Sequence, residues 1–89
     1  EVEAALMAHP SVSECAVVGV PDEERGSLVK AFVVLRDGTE ENEAMKQTLQ
    51  DFVKKTIAPY KYPRRIKFRK SLPKTETGKI QRFRLREEG

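Results

Sequence analysis

A chain of 89 residues is long enough for one domain and lies near the lower size limit at which a hydrophobic core suffices without disulfides or a structural metal. Its single cysteine, Cys15, excludes an internal disulfide and a metal site made of several cysteines, and we expect a buried thiol in a reducing compartment. The composition is 35% charged, and no apolar run approaches the roughly 18 residues of a membrane-spanning helix, so we expect a soluble protein.

The first half of the chain predicts one helix followed by two strands. Residues 1–8 have apolar side chains at helical spacing, and Pro10 ends the helix because proline disfavours helical backbone angles in the residue before it. That residue, His9, is interpreted as a helix-end residue, with a metal or catalytic role as the alternative. Residues 15–20 and 28–35 are valine-rich apolar runs that predict strands, with a turn between them.

The second half predicts a helix, a strand, a loop and a last short helix. In residues 42–56 the apolar side chains recur at helical spacing, which predicts an amphipathic helix with one face in the core. Residues 65–69 alternate apolar and basic side chains, as a half-exposed strand does. Residues 81–88 predict the last helix, with Phe83 as its anchor in the core. This order predicts an α+β fold, a small, roughly three-stranded sheet flanked by helices, in a single domain of residues 1–89.

The net charge of +3 hides a strong asymmetry along the chain. Residues 1–53 carry 4 basic and 11 acidic side chains, a net charge of −7, whereas residues 54–89 carry 13 and 3, a net charge of +10. This division indicates that the second part of the chain faces an anion. The anion could be a nucleic acid, a polyphosphate nucleotide or an acidic protein surface.

Residues 73–82 contain the most informative motif, in which Lys79 directly follows Gly78 within a polar, turn-prone stretch. Gly78 can adopt backbone angles that are closed to other residues, so we expect Lys79 to lie on a mobile loop that can deliver a positive charge. A Walker phosphate loop also ends in Gly-Lys, but it requires glycine where Pro73 stands and Ser or Thr where Ile80 stands. For a bare Gly-Lys pair, an exposed lysine without a function is the alternative.

The decapeptide resembles the C-terminal lysine motif of the adenylate-forming enzymes, which include acyl-CoA synthetases, peptide-synthetase adenylation domains and firefly luciferase. Residues 1–3 look like the end of the hinge-region motif of that family, and residues 16–26 are similar to its first strand and turn. Residues 58–64 look like the corresponding segment of medium-chain acyl-CoA synthetases and benzoate-CoA ligases. Peptide-synthetase domains usually have asparagine and aspartate where this chain has Thr77 and Gln81, which favours an acyl-CoA synthetase over a carrier-protein-docking adenylation domain.

The resemblance implies that the chain is the mobile C-terminal domain of a longer acyl-CoA synthetase and is inactive without the large N-terminal domain and hinge. The chain begins with Glu1, which fits this expectation. The implied reaction joins a carboxylic acid to coenzyme A with ATP, as its Mg²⁺ complex, and releases AMP and pyrophosphate. In that family a motif lysine, here Lys79, assists adenylation, and a protein acetyltransferase and deacetylase can regulate it. The implied location is the cytoplasm, or the mitochondrial matrix in a eukaryote.

The resemblance also implies a surface for the nucleotide part of coenzyme A, whose phosphates and adenine call for basic side chains and a flat group. Three residues match positions that contact this nucleotide in medium-chain synthetases: Arg25, Lys54 and Tyr62. Secondary candidates for the same face are Lys61, Arg64 and Arg65. The alternatives are plain surface charge for the basic residues and loop packing for the tyrosine. No metal ligand is predicted.

A second class of function is a small nucleic-acid-binding module. In such a module the basic second half would follow phosphates, and Tyr60, Tyr62 or Phe68 would stack on bases. The sequence contains neither the paired-glycine loop of KH domains nor the aromatic strand signature of RRM domains. We therefore keep nucleic-acid binding only as the alternative function.

Overall fold

The computed structural model describes residues 1–88 as a mixed three-stranded sheet with helices on both faces. In chain order the elements are α1 (Val2–Met7), β1 (Val12–Asp22), β2 (Gly26–Leu35), α2 (Glu43–Thr56), β3 (Arg65–Phe68) and α3 (Arg82–Glu88). The strands lie in the order β1-β2-β3, with β1 antiparallel and β3 parallel to the central β2. The predicted α+β fold is therefore confirmed.

Two separate hydrophobic clusters hold the helices to the sheet. On one face, α1 and α2 contribute Leu6, Leu49 and Val53 to a cluster with strand residues such as Val33. On the other face, Leu85 of α3 packs in a second cluster built on β1 and β2. Because β2 is central and covered on both sides, its second half reads as a continuous apolar run rather than as an alternating one.

The helix α2 begins and ends where local sequence signals place it. The side chain of Asn42 accepts a hydrogen bond from the Met45 N–H at 2.8 Å, which satisfies one of the free donors at the helix start. Lys54 and Lys55 lie in the last turn, where positive charge is favourable to the helix dipole. The predicted helix of residues 42–56 is thus confirmed, with Asn42 as its cap.

The strand β1 is longer than predicted and runs through Pro21, which the sequence had indicated as part of the turn. Pro21 lies opposite Ser27 in the antiparallel ladder. A proline is acceptable here because β1 is an edge strand, so its other side needs no ladder hydrogen bond. The chain then reverses through Gly26, whose φ of +79° is in the region that favours glycine.

The predicted anchor of the last helix is wrong. Phe83 is 53% exposed, whereas Leu85 is completely buried in the second cluster. Two residues separated by two positions lie about 200° apart around a helix, so only one of them can face the sheet. The docking of α3 against β1 places Leu85, and not Phe83, on that face.

Two smaller predictions are confirmed by the packing. Cys15 is buried, and its pKa is raised to about 11 by burial and by the negative charge of Glu3. His9 follows α1, accepts a hydrogen bond from the Ser11 N–H at 3.0 Å, and contacts Phe52 edge-on, as suits a helix-end residue. In the part of the chain that the structure describes, no helix has the length and apolar character needed to cross a bilayer.

Candidate functional site

Residues 73–81 form a closed turn, which we call the lysine hairpin. Its two sides are joined by hydrogen bonds from Thr75 N–H to the Lys79 carbonyl at 2.9 Å and from Gln81 N–H to the Pro73 carbonyl at 2.8 Å. Inside the turn, Gly78 N–H donates to the Thr75 carbonyl at 2.9 Å, and Lys79 N–H donates to the Thr75 hydroxyl at 3.1 Å. The sequence predicts a mobile loop here, and the structure has an internally hydrogen-bonded turn at this place.

Gly78 makes this turn possible through its backbone conformation. Its φ is +87°, and a β-carbon built at this position would meet no atom within 4 Å. Glycine is thus needed here for the left-handed conformation and not for lack of space. These hydrogen bonds fix the internal shape of the turn, whereas its orientation on the sheet depends on the contacts at its base.

Lys79 projects into solvent from this hairpin. Its side chain is exposed, and within residues 1–88 no carboxylate lies close enough to form an ion pair with its ammonium group. The flanking apolar residues Leu72 and Ile80 pack against the second core cluster and hold the base of the hairpin on the sheet. The hairpin therefore presents an uncompensated positive charge on a fixed base.

The second candidate surface is a groove of about 310 Å³, which we call the tyrosine groove. Apolar side chains of α1 and β2 line part of it, and its polar side is formed by Arg25, Tyr60, Lys61, Tyr62 and Arg64. Two of the three primary candidates for the coenzyme A nucleotide therefore lie in one groove. Lys79 is not among the lining residues, so the two candidate surfaces are distinct.

The third primary candidate, Lys54, is not among the residues that line this groove, but it contacts the ring of Tyr62 and pairs with Asp51 at 3.9 Å. The Lys54 ammonium lies 4.2 Å from the centre of that ring, and the Arg64 guanidinium carbon lies 4.8 Å from it. Arg64 Nη1 also donates a hydrogen bond to the Tyr62 hydroxyl at 3.0 Å. Cation–π contacts of this kind favour a fixed arrangement of the charges. Tyr62 thus gathers two cations beside the groove.

The secondary candidates separate in the structure. Lys61 lines the tyrosine groove, and its pKa is raised by a hydrogen bond to Glu1, 2.7 Å away, and by the charge of that carboxylate. Arg65 is not among the lining residues and pairs instead with Asp22 at 3.7 Å. Among residues 1–88, no group of three or more histidine, cysteine, aspartate or glutamate side chains could hold a metal ion.

Sequence reasoning missed two features of these surfaces. The sequence predicts a role for Tyr60 only in stacking on nucleic-acid bases, whereas its side chain is 75% exposed in the tyrosine groove and offers a flat face there. Glu3 and Arg82 form an ion pair next to the lysine hairpin. The aromatic, proline-flanked segment was a signal for Tyr60, whereas no local pattern links two residues from opposite ends of the chain.

The chain is similar to known proteins over nearly its whole length. Residues 1–79 match the family described as AMP-binding enzyme C-terminal domain. The chain is 56% identical over 86 residues to a benzoate–CoA ligase of Thauera aromatica, covering 97% of this chain and 16% of that protein. It is 55% identical over 89 residues to the human mitochondrial acyl-coenzyme A synthetase ACSM2A, covering 98% and 15%. The solved acyl-CoA synthetase of Brucella canis matches with a TM-score of 0.94 and 52% identity, over 98% of this chain and 16% of that one.

These similarities confirm the resemblance to acyl-CoA ligases and give no support to the nucleic-acid-binding alternative. The aligned region is nearly all of this chain but only 15% to 16% of the length of these curated relatives. Nearly the whole of this chain therefore corresponds to one small part of each relative. The chain belongs to the family of AMP-binding enzyme C-terminal domains.

Proposed function

We propose that this chain is the mobile C-terminal domain of a longer AMP-forming acyl-CoA synthetase, and that Lys79 supplies positive charge during adenylation. In the first half-reaction a carboxylate oxygen bonds to the α-phosphorus of ATP and pyrophosphate leaves. In the second, the sulfur of coenzyme A bonds to the acyl carbon, AMP leaves, and the thiol proton is released. The observation that carries the proposal is the exposed ammonium of Lys79, which makes no ion pair within residues 1–88.

Lys79 suits the first half-reaction because that step brings two anions together. An ammonium group between the carboxylate and the α-phosphate offsets their repulsion as negative charge accumulates in the transition state. At an effective dielectric constant near 20 and a distance of about 4 Å, one such contact is worth roughly 4 kcal/mol. That energy corresponds to about a thousandfold in rate. Phosphoryl-type chemistry relies mainly on positioning and charge of this kind.

The tyrosine groove suits the second half-reaction. Arg25 and Arg64 offer guanidinium groups for the phosphates of coenzyme A, and Tyr62 holds Lys54 beside them. Tyr60 adds an exposed ring on which an adenine can stack. Because this groove and the lysine hairpin are distinct, a rotation of the domain against its own N-terminal domain would exchange one surface for the other between the two steps.

The remaining substrates and the setting follow from the same proposal. Magnesium would enter bound to the phosphates of ATP, and we propose that its protein ligands lie mainly in the N-terminal domain. The mitochondrial human relative supports a mitochondrial location for a eukaryotic enzyme, for which we propose the matrix, and otherwise we propose the cytoplasm. An acetyltransferase could reach the exposed Lys79, and acetylation would remove the charge that adenylation needs. Mass spectrometry of the protein from its own cells tests for this modification.

The deciding experiment replaces Lys79 in the full-length enzyme that carries this domain. In Lys79→Ala, adenylate formation measured by pyrophosphate exchange should fall by about a thousandfold, as estimated from the lost charge contact. Thioester formation from supplied acyl-adenylate should be unchanged. Lys70→Ala is the matched control, because the Lys70 side chain is 92% exposed and lies outside the hairpin and groove. An equal loss in both half-reactions for Lys79→Ala would contradict the proposed role.

A further inference from the structure

Glu3 and Arg82 join the two ends of the chain beside the lysine hairpin. Arg82 Nη2 lies 2.6 Å from Glu3 Oε1 and its Nε lies 3.2 Å from Oε2, so the guanidinium contacts both carboxylate oxygens. The second oxygen also accepts a hydrogen bond from the Val17 N–H of β1 at 3.0 Å. Three elements of the fold, α1, β1 and α3, therefore meet at one carboxylate.

This ion pair is more constrained than an ordinary surface pair. The side chains of Glu3 and Arg82 are 32% and 40% exposed, and two-point contact between a guanidinium and a carboxylate fixes direction as well as distance. Burial raises the pKa of Glu3, but the hydrogen bonds from Arg82 and Val17 and the charge of Arg82 outweigh it, so the net shift of that pKa is downward. The carboxylate is thus held in its charged form.

The position of Arg82 connects this pair to Lys79. Arg82 follows Gln81, whose N–H closes the base of the hairpin against the Pro73 carbonyl. On the other side of the hairpin, the Lys74 ammonium pairs with the Glu14 carboxylate of β1. Because the hairpin is internally hydrogen-bonded, the position from which the Lys79 side chain extends depends on how this base is held on the sheet.

We propose that Glu3 and Arg82 are positioning residues for Lys79, an inference that rests on the function proposed above for that lysine. Their ion pair orients the lysine hairpin relative to the sheet and ties it to α1, the element at the N-terminal end of the domain. A catalytic group displaced by about 1 Å can cost on the order of a hundredfold in rate. Loss of the pair should therefore impair adenylation without affecting the tyrosine groove.

The test compares single variants of the full-length enzyme in the two half-reactions. We expect Arg82→Gln to lower the rate of pyrophosphate exchange by roughly tenfold to a hundredfold, mainly in kcat, with thioester formation from supplied acyl-adenylate unchanged. Arg82→Lys keeps the charge but loses the two-point contact, so its rate of pyrophosphate exchange should lie between those of wild type and Arg82→Gln. Lys46→Gln breaks the 3.2 Å pair with Glu43 within α2, far from the hairpin in sequence, and serves as the matched control with no loss.

A second variant guards against simple misfolding. Glu3→Gln keeps an oxygen that can accept the Val17 hydrogen bond, so it removes the charge with little disturbance of β1. In a double-mutant cycle, Glu3→Gln together with Arg82→Gln should slow adenylation no more than either change alone, because both remove the same interaction. Additive losses, equal losses in both half-reactions, or no loss at all would each overturn the inference.

The outcome for Lys79 separates failure of this inference from failure of the proposed function. If Lys79→Ala loses adenylation while Arg82→Gln does not, the positioning role is refuted and the proposed function stands. If Lys79→Ala retains pyrophosphate exchange, the proposed function fails, and the positioning role fails with it. The melting temperature of each variant is measured alongside, and a loss of activity that merely follows unfolding counts against the inference.

Discussion

Replacement of Gly78 by alanine tests why the lysine hairpin has a glycine at this position. The reason could be the backbone conformation or a lack of space for a β-carbon. An added β-carbon would meet nothing within 4 Å, so the substitution introduces no clash. The φ of +87° lies in the left-handed region, where a residue with a β-carbon costs roughly 1–2 kcal/mol. Alanine also lowers the conformational entropy of the unfolded chain, which stabilises the folded state by about 0.4–1 kcal/mol. We therefore expect a net destabilisation of about 1 kcal/mol.

The matched control is Gly19→Ala in β1. Gly19 also has nothing within 4 Å of an added β-carbon, but its φ is not positive. With no conformational penalty, this substitution should stabilise the fold by about 0.4–1 kcal/mol. The two variants should thus change the free energy of unfolding in opposite directions.

Urea denaturation of the 89-residue chain measures both changes, and thermal unfolding should show Gly78→Ala several degrees below wild type, at about 4–8 °C per kcal/mol for a domain of this size. Gly78→Asn provides a further comparison, because asparagine tolerates the left-handed region better than alanine does. Equal stabilisation by Gly78→Ala and Gly19→Ala would refute the argument. That result would mean that the hairpin relaxes to ordinary backbone angles without cost.

Three further predictions test the core, the ion pair and the groove. Leu85→Ala should destabilise the domain by about 2–5 kcal/mol and Phe83→Ala by less than about 0.5 kcal/mol, as judged by urea denaturation; comparable losses would show that both side chains support the core. The pKa of folded Glu3 lies below its ordinary value of 4.5, so its contribution to stability is complete above that pH and is lost as the pH falls through the lowered pKa. Glu3→Gln should therefore flatten the dependence of the free energy of unfolding on pH below about 4.5, and an unchanged slope would contradict this. In the full-length enzyme, Arg25→Ala and Lys54→Ala should raise the KM for coenzyme A roughly tenfold while leaving that for ATP unchanged; an effect confined to ATP would remove both residues from the proposed coenzyme A surface.

Much of the local structure could be predicted from the sequence because its causes are local. The apolar spacing in residues 42–56 and the capping side chain of Asn42 act within a few positions of each other, and they define α2. The lysine motif likewise contains its own turn, since Thr75 and Gly78 supply the hydroxyl and the backbone conformation that close the hairpin around Lys79. The order of strands and helices then indicated the α+β class.

The tertiary structure alone decided which distant residues meet. Glu3 and Arg82 lie 79 positions apart, and they pair because α1 and α3 are both docked on β1. The rotation of α3 that buries Leu85 instead of Phe83 depends on that same docking. The tyrosine groove exists because β2 and the segment after α2 come together. Propensity and periodicity act between near neighbours in the chain, whereas these contacts depend on strand register and helix packing, which no local pattern specifies.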